Sequence, residues 1–270
     1  MPTLERHSVG GVTLLGDPEP PCGVTFAFTE RTGGVSAGEY ASLNLGSRCG
    51  DDPTCVAENR RRVLSALGAE GCADRLVSPR QVHGDHVVVV REAGGKGLAA
   101  ARAEAEAGAD AVCCTAVDVP VLLCFADCVP VVLVAPGGFV VAHSGWRGTL
   151  ARISAKATLV LCRECGCGPE DVRAYVGPHI GGADYEVSGE LLARFEAEFG
   201  SRARFSERHL DLGACVREAL EDVGVPAGSI VDAGVSTASA TERFFSHRAE
   251  GGHTGRHAAV AVMHGRLYEE

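Results

Sequence analysis

Short apolar runs rich in valine dominate the part of the chain between residues 86 and 143. Runs of this length favour β-strands over helices. Polar residues do not alternate with the apolar ones, so each strand needs cover on both of its faces. The pattern predicts buried strands in HVVVVRE (86–92), ADAVCCTA (109–116), VPVLLCFA (119–126), VPVVLVA (129–135) and GFVVAH (138–143). Further strands are predicted at residues 23–29, 172–177, 229–236 and 256–265.

Helical patterns supply the cover that these strands need. Asp52 as N-cap and Pro53 at the first helical position predict a helix that begins at residue 53. Apolar residues at helical spacing predict three more helices, over residues 149–164, 187–199 and 212–224. We therefore expect an α/β fold of layered α/β/β/α type, with mixed β-sheets in the centre and helices packed outside. No linker divides the sequence, which predicts a single domain over residues 1–270.

The net charge of -10 argues against non-specific binding to nucleic acid or to an acidic membrane, because the long-range field repels polyanions. The segment MPTLERHSVGG has no apolar core of signal-peptide length, and no run of residues has the length of a transmembrane helix. We expect a cytoplasmic protein. In that compartment the twelve cysteines are predicted to be buried thiols or metal ligands rather than a disulfide framework.

A hairpin is predicted within FADCVPVVLVAPGGFVVAHSGWRG (125–148), where two apolar runs flank a Pro-Gly-Gly turn. Whether its loop is the Gly137-Gly138 pair or residues 135–138, His143 pairs with an even-numbered position, 132 or 130. The His143 side chain then shares a face of the sheet with Cys128. A three-residue loop would reverse this parity and would need a bulge to restore it. The hairpin therefore allows Cys128 and His143 to converge.

His83 lies in the turn before a predicted strand and is a third candidate for the same site. Two imidazoles and one thiolate suit Zn²⁺ and leave its fourth coordination position for water. The nearby His86 is a rival ligand. Without a metal, Cys128 would act as a nucleophile with His143 as its base, which is the arrangement of a Cys-His hydrolase.

The chain resembles the polyphenol oxidase or laccase-domain family in segments that follow one another along nearly its whole length: RTGGVSAGEYASLNLG, ENRRRV, RQVHGDHV, ADCVPVVL, AHSGWRGTL, VGPHIGGADYEV and FFSHR. Bacterial members of this family are also named purine nucleoside phosphorylases or peptidoglycan-editing proteins. The resemblance implies a single α/β domain with layered sheets and a zinc ion held by His83, Cys128 and His143. It also implies phosphorolysis of adenosine, inosine, guanosine and methylthioadenosine, and deamination of adenosine.

Purine nucleosides and phosphate are thus the expected substrates, and phosphorolysis needs groups that bind an anion. The candidates for phosphate binding are Arg31, Arg147 and Arg248. The further candidates for substrate contacts are Gly33, Gly34 and Gln81. We expect the cavity beside the metal ligands to open toward Gly33, Gly34 and Arg147.

Deamination needs a group that moves protons to the departing ammonia. Asp127, next to Cys128, is the candidate for this catalytic role. A turn-capping role for the same carboxylate is the alternative.

The laccase label implies copper, but a multicopper cluster is built largely from His-x-His pairs, and the ten histidines contain no such pair. A multicopper centre is therefore not predicted, although Cu²⁺ competes with Zn²⁺ for the same His and Cys ligands. The resemblance leaves another function open, that of a factor for editing peptidoglycan precursors or for cell-wall quality control. It does not identify protein partners.

Overall fold

Two β-sheets lie face to face between helices in the computed structural model, which describes residues 2–265. In chain order the strands are β1 Glu5–Val9, β2 Val12–Gly16, β3 Val24–Thr29, β4 Val87–Val90, β5 Ala111–Cys114, β6 Val121–Phe125, β7 Val129–Ala135, β8 Gly138–Ser144, β9 Arg173–Val176, β10 Arg204–Ser206, β11 His209–Leu210, β12 Ile230–Asp232 and β13 His257–Met263. The α-helices are α1 Pro53–Ala66, α2 Gly95–Ala107, α3 Trp146–Leu150, α4 Ile153–Cys165, α5 Gly189–Phe199 and α6 Leu212–Asp222.

The larger sheet has six strands in the order β12-β9-β7-β8-β5-β4 and is mixed, because its two outer pairs are parallel and its inner pairs antiparallel. The other sheet has five strands in the order β1-β2-β3-β13-β6, all paired antiparallel. The strands β10 and β11 form a small separate hairpin. This architecture confirms the predicted layered α/β fold, with one mixed sheet and one antiparallel sheet in its centre.

Alternate side chains of each central strand enter different cores, which explains why these strands are apolar on both faces. In β7, Val132 and Val134 pack between the two sheets, whereas Val131 and Leu133 face the layer of α4, α5 and α6. In the five-stranded sheet, alternate residues of β13 pack against α1 in the same way. One apolar layer therefore holds the two sheets together. Two further apolar layers lie on their outer faces, one under α4, α5 and α6 and the other under α1.

The hairpin of β7 and β8 has the parity that the sequence predicts. His143 pairs with Pro130, one of the two expected positions, and Ala135 pairs with Gly138, so the loop itself is Pro136-Gly137. The start of α1 also follows the prediction: the Asp52 side chain accepts a hydrogen bond from the Thr54 backbone N–H at 2.8 Å.

Several boundaries differ from the sequence prediction. The helix expected at 149–164 is two helices, α3 and α4, separated by Arg152 in the left-handed region at a φ of 56°. The strand expected at 229–236 is confined to β12. The strand β1 was not predicted because all its residues are exposed, so its sequence carries no apolar period. Among the helices described within residues 2–265, none combines the length and the apolar character needed to cross a membrane.

Candidate metal and nucleoside site

The β7–β8 hairpin and the loop before β4 bring His83, Cys128 and His143 together, as the sequence predicts. One ligand atom from each of the three side chains lies within 4.8 Å of the other two. The rings of His83 and His143 are nearly perpendicular, with 4.8 Å between their centroids. His143 is buried, Cys128 is half-buried and His83 is exposed, so the cluster lies where the protein interior meets solvent.

Asp110 orients both histidines of this cluster from one buried carboxylate. Its Oδ1 accepts a hydrogen bond from His143 Nδ1 at 2.8 Å and from the His83 backbone N–H at 2.9 Å. Its Oδ2 accepts the backbone N–H groups of Val82 and Gly84 at 3.2 and 2.7 Å. These bonds stabilise the turn in which His83 has a φ of 59°. Because Asp110 holds Nδ1 of His143, Nε2 is the ring nitrogen left for a metal ion once its proton is lost.

Gly145 leaves the space in which the three side chains meet. A Cβ atom at this position would lie 2.9 Å from His83 Cδ2 and 3.1 Å from Cys128 Sγ. It would also lie 3.6 Å from His143 Cε1. Any larger residue at 145 would therefore push into the cluster.

The neighbours of Cys128 favour the ionised form of its thiol. Burial opposes ionisation of the Cys128 thiol, but the charge and hydrogen bond of His143, with those of His83, outweigh it and lower the pKa of Cys128 to about 6. Burial likewise acts to lower the pKa of His143, yet Cys128 and Asp110 raise it above its ordinary value. A thiolate is the form of cysteine that binds a metal, so the neighbours of Cys128 prepare it as a ligand.

The donor set fits zinc, with two imidazoles, one thiolate and a carboxylate that holds the second nitrogen of one imidazole. The rival histidine, His86, is exposed and pairs instead with Glu104 at 2.8 Å. Within residues 2–265 the cluster of His83, Cys128 and His143 is the one group of three or more His, Cys, Asp or Glu side chains suited to a metal ion.

A cavity of about 740 Å³ adjoins the cluster, and all three candidate ligands line it. Its walls also carry four arginines and two carboxylates, which are Arg48, Arg60, Arg248, Arg256, Glu106 and Asp127. Arg48 pairs with Glu106 at 2.7 Å. Tyr185 and His247 add aromatic surface. The volume suits a small-molecule ligand, and the arginines favour an anionic group on it.

Asp127 anchors the loops around this cavity. Its backbone is in the left-handed region at a φ of 87°. Its Oδ1 accepts the hydroxyls of Thr237 and Ser246, both at 2.7 Å, and its Oδ2 accepts the Arg248 backbone N–H at 2.7 Å. This arrangement favours the turn-capping interpretation, since the carboxylate already accepts three hydrogen bonds from the protein.

The remaining candidates for substrate contacts divide into two groups. Gln81 and Arg248 line the cavity. The Gln81 side chain pairs with the main chain of Cys124, donating to its carbonyl at 2.8 Å and accepting from its N–H at 2.9 Å. The Arg248 guanidinium lies 5.1 Å from the centre of the Tyr185 ring and donates to the Glu186 carbonyl.

The other group does not line the cavity, so the expected opening toward it is not seen; its members are Gly33, Gly34, Arg31 and Arg147. Arg31 donates to the carbonyls of Ala41 and Thr241 and pairs with Glu250 at 2.9 Å, which are structural contacts. A Cβ atom on Gly33 would lie 2.1 Å from the Gly11 carbonyl oxygen, so Gly33 is needed for close backbone packing. The Arg147 guanidinium lies over the Trp146 ring.

Several residues at the site were absent from the sequence prediction, namely Asp110, Arg48, Arg60 and Arg256. Asp110 carries a signal in the sequence, because an acidic residue directly before an apolar run is costly to bury without partners. Nothing in the sequence places the three arginines together, because they come from separate segments that meet only in the folded chain.

Comparison with known proteins connects this geometry to a family. Residues 25–264 match the model of the family described as multi-copper polyphenol oxidoreductase laccase. A purine nucleoside phosphorylase from Deinococcus radiodurans is 40% identical over 256 residues, covering 93% of this chain and 92% of that protein. Purine nucleoside phosphorylase YlmD from Geobacillus stearothermophilus is 33% identical over 265 residues, covering 95% and 96%. The crystal structure of YlmD from the same organism has a TM-score of 0.85 at 31% identity, covering 98% of this chain and 100% of that one.

Proposed function

Because the chain belongs to the multi-copper polyphenol oxidoreductase laccase family, and its relatives are named purine nucleoside phosphorylases, we propose that it is a zinc-dependent enzyme of purine nucleosides. The proposed reaction is phosphorolysis of adenosine, inosine, guanosine and methylthioadenosine, with deamination of adenosine as a second activity. The observation that carries the proposal is the convergence of His83, Cys128 and His143 on the wall of an arginine-lined cavity.

The protein's own residues have distinct roles in this proposal. His83, Cys128 and His143 would hold the zinc ion, and Asp110 keeps His143 in the tautomer that leaves Nε2 free. A zinc ion in this position supplies Lewis-acid polarisation at the reacting centre. Gln81 and Arg248 are proposed to contact the substrate, since both line the cavity.

Phosphorolysis breaks the bond between the ribose C1′ and the purine nitrogen and forms a bond from C1′ to a phosphate oxygen. The protein must hold the phosphate and the nucleoside together, which converts a bimolecular encounter into a reaction within one complex. Arginines serve this purpose because their planar guanidinium groups bind phosphate through two parallel hydrogen bonds. Deamination consumes no phosphate, so the two activities have different requirements for these arginines.

A panel of substrates tests the proposal. Zinc-loaded protein is incubated with each nucleoside, with and without phosphate, and the free base, sugar phosphate and deaminated nucleoside are separated by chromatography. We expect base release that depends on phosphate, and conversion of adenosine to inosine without it. Peptidoglycan precursors form the second arm of the panel. Turnover of precursors with no turnover of any nucleoside would overturn the proposal in favour of the editing function.

A metal-free Cys-His hydrolase uses the same pair, Cys128 and His143, so activity alone does not separate it from the zinc enzyme. Zinc content does. Protein purified without added metal is expected to contain about one zinc ion per chain, and bound zinc should protect Cys128 from iodoacetamide. Fully active protein that contains no zinc and loses activity on alkylation would identify the hydrolase.

A further inference from the structure

Arg60 and Arg256 are two half-buried cavity arginines that have no acidic partner among the described residues. Arg60 donates from Nε and Nη2 to the Leu45 carbonyl, at 2.9 and 2.8 Å. Arg256 donates from Nη1 to the carbonyls of Thr254 and Gly255, both at 2.7 Å. Main-chain oxygens thus fix the orientation of both guanidinium groups without neutralising them.

Cys124 lies in the same wall of the cavity as the two arginines, and its thiol donates at 3.4 Å to the Leu45 carbonyl oxygen that also accepts from Arg60. Burial raises the pKa of Cys124, and the charges of Arg60 and Arg256 oppose that rise because both lie close to its sulfur. Gly46 allows this approach, since a Cβ atom there would lie 2.8 Å from Arg256 Cγ. The loop that contains Gly46 therefore packs directly on the Arg256 side chain and sets its position.

The charges of the cavity leave this pair unbalanced. Of the two acidic side chains that line the cavity, Glu106 pairs with Arg48 and Asp127 accepts hydrogen bonds from Thr237, Ser246 and the Arg248 backbone. The wall of the cavity therefore has more positive than negative side chains, although the whole chain has a net charge of -10. Partly desolvated cations without a counter-charge are costly, which favours binding of an anion between them.

We propose that Arg60 and Arg256 form a phosphate-binding subsite of the cavity. Two oriented guanidinium groups match the several oxygen atoms of a phosphate group. The group is either inorganic phosphate, in which case the subsite serves the proposed phosphorolysis and depends on it, or the 5′-phosphate of a nucleotide. These arginines differ from Arg31 and Arg147, which do not line the cavity.

Calorimetric titration of the zinc-loaded protein with orthophosphate and, separately, with adenosine 5′-monophosphate tests the subsite. The variants are Arg60→Gln, Arg256→Gln and the corresponding Lys substitutions, with Arg173→Gln as control. Arg173 is exposed on β9 and does not line the cavity. We expect each Gln variant to bind orthophosphate, adenosine 5′-monophosphate or both at least about tenfold more weakly than the wild type, because each variant loses charge-assisted hydrogen bonds. Lys should restore part of the affinity, and Arg173→Gln should bind as the wild type does.

Two controls exclude other causes. Circular dichroism and zinc content show whether a variant has folded and kept its metal. Titration of Cys128→Ser, which lacks one metal ligand, shows whether phosphate binds without zinc; the subsite predicts that it does. Loss of orthophosphate binding in the Gln variants identifies free phosphate as the ligand, whereas loss restricted to the nucleotide identifies a nucleotide phosphate.

Wild-type affinity for both ligands in the two Gln variants, or no binding of either ligand by the wild type, would overturn the subsite. Its failure is distinguishable from failure of the proposed function. Phosphate binding without phosphorolysis would support the subsite and contradict the proposed function. Phosphorolysis with an unchanged KM for phosphate in both Gln variants, together with wild-type affinity for adenosine 5′-monophosphate, would contradict the subsite and support the function.

Discussion

Asp110 Oδ1 lies 2.8 Å from His143 Nδ1, and the same carboxylate accepts the backbone N–H of His83. One buried side chain thereby fixes the position of two candidate metal ligands that come from different segments. A carboxylate behind a histidine ligand sets its tautomer and raises its basicity, so Asp110 is a positioning residue for the proposed zinc site.

Replacement of Asp110 by Asn should weaken zinc binding by about 10–100-fold. Asn keeps the size of the side chain but removes the charge and one of the acceptor oxygens. The measurement is competition for zinc with a chromogenic chelator. Glu104→Gln is the matched control, because it removes the carboxylate that pairs with His86 outside the cluster. Zinc affinity equal to that of the wild type in Asp110→Asn would contradict this role.

Replacement of Cys128 by Ser should lower zinc content from about one ion per chain to little, because a neutral hydroxyl is a poor zinc ligand. Activity should fall with it, while the similar volume of Ser preserves packing. Metal analysis and turnover are measured on the same preparation. Cys55→Ser provides the comparison, since Cys55 lies on α1 outside the cluster. The zinc site is refuted if the wild type is active without zinc.

Replacement of Gly145 by Ala should reduce zinc affinity without unfolding the protein. The new methyl group would lie within 3.1 Å of both His83 Cδ2 and Cys128 Sγ, so one of these side chains must shift. The exposed position of His83 makes it the side chain that moves. Chelator competition measures the affinity and thermal unfolding the stability. In Gly189→Ala the added Cβ has no atom within 4 Å, and zinc affinity is expected to stay unchanged.

His257 predicts a dependence of stability on acid. The side chain is fully buried between the rings of Phe125 and Phe244, and neither of its ring nitrogens has a hydrogen-bond partner among the described residues. Burial, aided by the charge of Arg256, lowers its pKa to about 3. The unfolded chain therefore binds a proton that the folded chain does not, between about pH 6.5 and pH 3.

The sign follows from this difference: the free energy of unfolding falls as the pH decreases through that window, with a slope contribution approaching about 1.4 kcal/mol per pH unit. His257→Leu removes the group and should flatten the profile by that contribution. Urea unfolding at pH 7 and pH 5 measures it. His7→Leu, at an exposed position, is the control. Parallel pH profiles for wild type and His257→Leu would rule out the buried neutral histidine.

Much of the fold was predictable because its signals are local. The valine-rich runs, the Asp52 cap and the parity that pairs His143 with Pro130 are all properties of neighbouring residues. The break at Arg152 between α3 and α4 was not predictable, because the helical spacing of apolar residues continues across it. The strand β1 gave no apolar signal because no face of it is buried.

The sequence by itself determined which residue types were available for a metal site and placed Cys128 and His143 on one face of a hairpin, since strand pairing and side-chain alternation follow from local geometry. Tertiary structure alone decided that Asp110 holds both histidines and that Asp127 accepts three hydrogen bonds from distant loops. It also decided that Arg60 and Arg256 line one cavity. The physical reason is that hydrogen bonds and charges act over a few ångströms in space, and the packing of the two sheets sets those distances between segments far apart in the chain.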